Sequence, residues 1–135
     1  MIKWTIDYTD YNGVDVSEDF YFHLNKSELT QMQFKANGAY TEFIKRIMNQ
    51  RDIEKLGEEF NSLIINSYGE KSDDGRYFRK SQQMREDFEQ SAAYDVLYME
   101  LISDADKATK FVKGILPADL QESSNNAING ALKSV

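Results

Sequence analysis

The chain begins with a strict alternation. In IKWTIDYT, Ile2, Trp4, Ile6 and Tyr8 fall between Lys3, Thr5, Asp7 and Thr9, the period-two pattern of a strand with one buried face. Further on, Val14, Val16, Phe20, Phe22 and Leu24 share one parity, and Asp15, Ser17, Asp19, Tyr21 and His23 take the other. Asn12-Gly13 between the two runs is a hairpin signal. Its loop length decides which faces meet. A two-residue loop would set Trp4 opposite Tyr21 and put the two apolar sets on opposite faces. A three-residue loop, Tyr11-Asn12-Gly13, pairs Trp4 with Phe20 and Ile2 with Phe22, and asks Gly13 to adopt a left-handed bulge conformation. A slip of one residue would expose the whole apolar face, so the bulged turn is predicted.

After Leu24 the spacing of apolar positions becomes helical. Asn25 or Ser27 can cap a short helix to about Phe34, with Leu29 and Met32 or Gln33 inward. Ala36-Asn37-Gly38 interrupts it. A second helix is predicted over about 39–49 on the stripe Tyr40, Phe43, Ile44, Ile47 and Met48. A third covers about 52–68 on Ile53, Leu56, Phe60, Leu63, Ile64 and Tyr68. Gly57 lies inside it, at a cost of ~1 kcal/mol against alanine, and close packing on a neighbouring helix would compensate. Gly69 is placed to end this helix in the left-handed conformation. Ser81 is a good N-cap for a long helix over about 82–102, with Met84, Phe88, Ala92, Val96 or Leu97, Met99 and Leu101 inward. From Ala92 to Ile102 that helix is apolar nearly all round and is expected at the centre. Ser103, with Asp104 and Asp106, caps a last helix that Gly114 and Pro117 end, with Ala105, Ala108, Phe111 and Val112 inward. The predicted fold is α+β: an N-terminal hairpin (2–24) packed against a bundle of about five helices (26–116), one domain over 1–117. Residues 118–135, polar and rich in Ser, Asn and Ala, read as a mobile tail.

Composition narrows the function classes. The net charge is −7, from 23 acidic and 16 basic residues, which disfavours nucleic acid, since phosphate neutralisation needs a basic surface. With no cysteine there are no disulfides, thiolate metal sites or cysteine nucleophiles. No leader pattern and no run near the ~20 apolar residues of a membrane span are visible, so a cytoplasmic location is expected.

Candidate chemistry is thin. Loops starting at Asp7, Asp10 or Asp73 put the wrong residues at the calcium-binding positions of an EF-hand. Gly69 and Gly75 are too few and too far apart for a phosphate cradle. The single His23 has no second histidine, and no GxSxG elbow accompanies it. The acidic pairs Glu58-Glu59, Asp73-Asp74 and Glu86-Asp87 lack an apolar setting that would raise a pKa, and read as solvated faces. No catalytic, cofactor-binding or metal residue is therefore assigned, and no cofactor is expected. The densest charged stretch, SYGEKSDDGRYFRKS (67–81), reads as a structural clasp between helices. Its Asp73-Asp74-Gly75 makes a tight turn, and Tyr77 and Phe78 dip back toward the core.

Three stretches carry a resemblance: WTIDYTDYNG…DFYFHLNKSEL, IINSYGEKSDDGRYFRKS and AAYDVLYMELISDADKATKFVKGILP. From Ile2 to Pro117 the chain resembles the tail assembly chaperones of long-tailed bacteriophages, chiefly of Gram-positive hosts. The resemblance implies a non-enzymatic protein of the infected host's cytoplasm. Such proteins bind the helical tape-measure protein before the tail tube polymerises, and are absent from the finished virion. Some exist in two lengths through frameshifting. The tail tube protein is a further implied partner, as is self-association, with no membrane and no nucleic acid. A tail or neck component retained in the virion, or a small phage regulatory binding protein, are the alternative functions. If the chain holds another polypeptide, Tyr77 and Phe78 in the clasp, Tyr94 and Tyr98 on the long helix and Tyr21 on the second strand are the candidate contacts; each also reads as a core-packing residue.

Overall fold

A computed structural model describes residues 1–31 and 57–117. The predicted helix at 39–49, the ends of its two neighbours beyond Gln31 and before Gly57, and the tail at 118–135 lie outside the described residues.

The hairpin forms in the bulged register. Strand β1 (Ile2–Thr9) pairs antiparallel with β2 (Asp15–Phe22), with Trp4 opposite Phe20 and Ile2 opposite Phe22. The turn closes through the Asp10 amide donating to the Val14 carbonyl and the Gly13 amide donating to the Asp10 carbonyl. Gly13 has φ +80°, the left-handed conformation that glycine adopts without a Cβ penalty. The Asp10 carboxylate accepts from the Asn12 and Val14 amides and so satisfies the turn's own backbone.

The sheet does not stop at two strands. Its order is β1-β2-β3-β4, where β3 (Tyr68–Lys71) and β4 (Phe78–Arg79) come from the clasp segment. This corrects the expected helix end at Gly69. Gly69 is not left-handed; it is a strand residue opposite Tyr21. A Cβ at position 69 would stand 2.6 Å from the Phe78 ring and 2.8 Å from the Arg79 carbonyl, so glycine is what allows β4 to close on β3. The Asp73-Asp74-Gly75 turn forms as expected, with Gly75 at φ +74° and the Asp74 carboxylate accepting from the Ser72 hydroxyl and the Arg76 amide.

Among the described residues five helices lie against the sheet: α1 (Lys26–Gln31), α2 (Gly57–Ser67), α3 (Gln82–Glu89), α4 (Ala92–Ser103) and α5 (Ala105–Ile115). The α+β expectation holds. None of the described helices is long and apolar enough to cross a membrane. Asn25 caps α1 in a reciprocal box, its side chain accepting from the Glu28 amide while the Glu28 carboxylate accepts from the Asn25 amide. Ser81 caps α3 as predicted.

The long helix expected over 82–102 is two. Its break falls at Ser91, whose hydroxyl donates to the Phe88 carbonyl and accepts from the Tyr94 amide. One side chain thereby closes α3 and opens α4. Met99, expected inward, is 53 % exposed; the buried stripe of α4 is Ala93, Leu97 and Leu101. Asp104, not Ser103, caps α5, accepting from the Asp106 and Lys107 amides. Ser103 instead ends α4 by donating to the Met99 carbonyl. Helix α5 runs through Gly114 to Ile115, and Gly114 leaves room for the Ile2 side chain, which a Cβ there would meet.

The core is aromatic-rich. Trp4 meets Phe111 edge-on at 5.6 Å, Phe22 meets Phe111 at 5.1 Å, and Tyr68 stacks on Phe88 at 4.3 Å. Edge-on and offset pairs of this kind stabilise beyond their buried area by about 1 kcal/mol each.

Candidate functional site

The segment after β2 ties the elements together. The His23 and Leu24 amides donate to the Ser67 and Ile115 carbonyls, which are orphan acceptors at the ends of α2 and α5. Onto this point the clasp inserts Lys80. Its ammonium donates to the His23 carbonyl at 2.7 Å, the Asn66 carbonyl at 2.8 Å and the Glu28 carboxylate at 2.6 Å, with only 10 % of its side chain exposed. Burial holds the Lys80 amine below the ordinary lysine range, and the bond it donates to Glu28 pulls the other way. All three of its protons are spoken for by the protein, so Lys80 is a structural lock and not an anion-binding group.

Among the described residues no three acidic or histidine side chains come together as a metal site. His23 is half-buried beside Phe78, with its Nδ1 unpartnered and its pKa lowered, chiefly by burial.

A groove of about 210 Å³ lies between the sheet and α3. Its floor is Tyr8, Phe20 and Tyr68 from the sheet, and its wall is Met84 and Phe88 of α3 with Ser91 and Ala93 beyond. Glu18, Glu70 and Asp87 rim it. Its volume is below the ~300 Å³ at which small-molecule pockets begin, and matches side chains of another polypeptide better.

Glu18 reaches the groove because the register sets it opposite Ile6, on the core-facing side. There its carboxylate accepts from the Tyr8 hydroxyl at 2.7 Å, which raises the Tyr8 pKa. Tyr68 is raised as well, by burial first and then by Glu70, Glu18 and Asp87, so all three carboxylates bear on one phenol. Among the described residues none of the three has a lysine or arginine partner. An aromatic floor under an acidic rim suits a side chain that is apolar along its stem and cationic at its tip.

The five aromatics singled out from sequence do not form one surface. Tyr21 and Phe78 flank Gly69 on the outer face of the sheet, and Lys71 sits 5.7 Å over the Tyr21 ring. Tyr77 does not dip inward; it is 57 % exposed, with the Arg79 guanidinium 5.1 Å over its ring. Tyr94 and Tyr98 are half-buried against α2. The Tyr94 hydroxyl donates to the Asn61 side chain, and the Tyr98 hydroxyl lies over Gly57. Burial pushes the Tyr94 pKa up to about 12. Only Tyr94 touches the groove wall, edge-on against Phe88 at 5.8 Å.

Sequence reasoning missed Tyr8, Glu18, Tyr68, Glu70 and Asp87. One signal was present: Glu18 is an acid at the parity of Val16, Phe20 and Phe22. The other two acids, Glu70 and Asp87, come from β3 and α3, whose convergence with β2 no local pattern encodes.

A family model described as phage tail assembly chaperone matches residues 1–133. No curated protein and no solved structure matches the chain.

Proposed function

The chain belongs to the phage tail assembly chaperone family, and from that premise we propose that it holds the tape-measure protein in the host cytoplasm while the tail is built. The tail tube protein is a second proposed client. The role is one of binding, with no bond-making step, and the protein leaves before the virion is complete.

The observation that carries the reading is the acid-rimmed aromatic groove. A long helical client exposes apolar stripes that would otherwise aggregate. A helix whose stripe is flanked by lysine or arginine can lay apolar side chains on Phe20, Tyr68 and Met84 and its cations against Glu18, Glu70 and Asp87. The chain's net charge of −7 keeps such a complex soluble and speeds the encounter. Phe78 and Tyr21 on the outer face, and the exposed Tyr77, are proposed as peripheral contacts. Tyr94 contributes by holding the groove wall through Phe88, and Tyr98 by packing on Tyr94.

The test is co-expression of a tagged chain with the tape-measure protein of the same phage. The client should remain soluble and co-purify with the unaltered chain. A Glu18→Lys, Glu70→Lys, Asp87→Lys variant that keeps its unfolding midpoint should lose at least tenfold in capture. Equal capture by that variant would reject the groove. A client that stays soluble and unbound without the chain would reject the chaperone role itself, and recovery of the chain from purified virions would favour a structural tail component.

A further inference from the structure

We propose that two copies of this chain pair edge to edge through β1, antiparallel, with Thr5 opposite Thr5 of the second copy. The inference stands apart from the groove and its client. Strand β1 is eight residues long and lies at the end of the sheet order, and among the described residues it pairs on one side only. A long unpaired edge of this kind is a template for another strand.

The backbone sets which residues face outward. The Asp10 amide points across to Val14, so the even-numbered residues of β1 direct their N–H and C=O groups to β2. Lys3, Thr5, Asp7 and Thr9 direct theirs away from the sheet. In a two-fold arrangement centred on Thr5 these outward groups form hydrogen-bonded pairs, and Lys3 falls opposite Asp7 of the second copy, twice over.

That charge match is absent inside one chain. Across β1 and β2, Lys3 faces Tyr21 and Asp7 faces Ser17, and neither has a side-chain partner among the described residues. The neighbours on the same face are already satisfied, since the Thr5 and Thr9 hydroxyls donate to Asp19 and Asp15. The two charges left over are therefore the two that a second copy would complement. The same register sets Trp4 opposite Ile6 on the core-facing side, so the apolar face continues across the junction. Sliding by two residues keeps the faces but sets Lys3 against a threonine. Sliding by one turns the apolar face out.

Charge reversal tests this with a built-in rescue. The mass in solution, by light scattering after gel filtration, should be that of a dimer for the unaltered chain. Lys3→Asp alone and Asp7→Lys alone should each be monomeric, because like charges then face each other. Mixing the two variants should restore a dimer, and so should both reversals in one chain. Lys3 and Asp7 are exposed, so each variant should still unfold cooperatively, with the midpoint that the unaltered chain shows when diluted to monomer. A monomeric unaltered chain, single variants that stay dimeric, or a mixture that stays monomeric would each overturn the proposal.

Discussion

Lys80 shows how one residue can convert a charged loop into a structural part. Its ammonium joins the end of β2, the end of α2 and the first turn of α1, elements that touch it from three directions. Lys80→Met keeps the stem and removes every proton donor, leaving two carbonyls and the Glu28 carboxylate without their partner. We expect a loss of about 2–3 kcal/mol, read as a lower urea midpoint at unchanged slope. Adding Glu28→Leu should cost less than the sum of the two single changes, since the carboxylate stranded by the first is the group removed by the second. A shift within the ~0.5 kcal/mol of an ordinary surface substitution would reduce Lys80 to a solvated lysine. Single-residue roles were legible where the partner is local: Ser81 and Asn25 as caps, Gly13 and Gly75 as turn glycines. Lys80 was not legible, because its acceptors lie 14, 52 and 57 positions away. Glu18 was half legible, as an acid standing among apolar residues of its own parity.

The two long strands were read correctly; the two short strands, and the break within the helix expected over 82–102, were not. The eight-residue strands declare themselves by alternation, and the loop arithmetic fixes their register. Strands β3 and β4 have four and two residues, too few for a period, and they exist because β2 offers an open edge and Gly69 lets Phe78 close on it. The break at Ser91 is hidden inside an otherwise helical pattern, since the residues on both sides are good helix formers. Gly57 was explicable in kind: the partner that requires it is Tyr98 of α4, whose hydroxyl would stand 2.5 Å from a Cβ there. Gly57→Ala should therefore destabilise despite its better helix propensity. With Tyr98→Phe removing the hydroxyl, the same change should recover stability, up to about 1 kcal/mol above Tyr98→Phe alone. Equal losses in the two backgrounds, by thermal unfolding, would show that the hydroxyl is not the obstacle.

At the scale of the whole molecule, the proposed function is carried by surfaces. Among the described residues the sheet presents an edge at β1 with no strand partner, an outer face around Tyr21, Lys71 and Phe78, and an acid-rimmed groove on the helix side. The family could be read from sequence, whereas the groove could not, because Glu18, Glu70 and Asp87 converge only when the hairpin, the clasp strands and α3 are assembled. The most direct measurement is zero-length carbodiimide coupling of the complex with the tape-measure protein, mapped by mass spectrometry. The expected result is that lysines of the client couple to Glu18, Glu70 and Asp87, and that these links fade as salt is raised. A complex whose client lysines couple only to carboxylates outside the groove, such as Glu58 and Glu59, would contradict it.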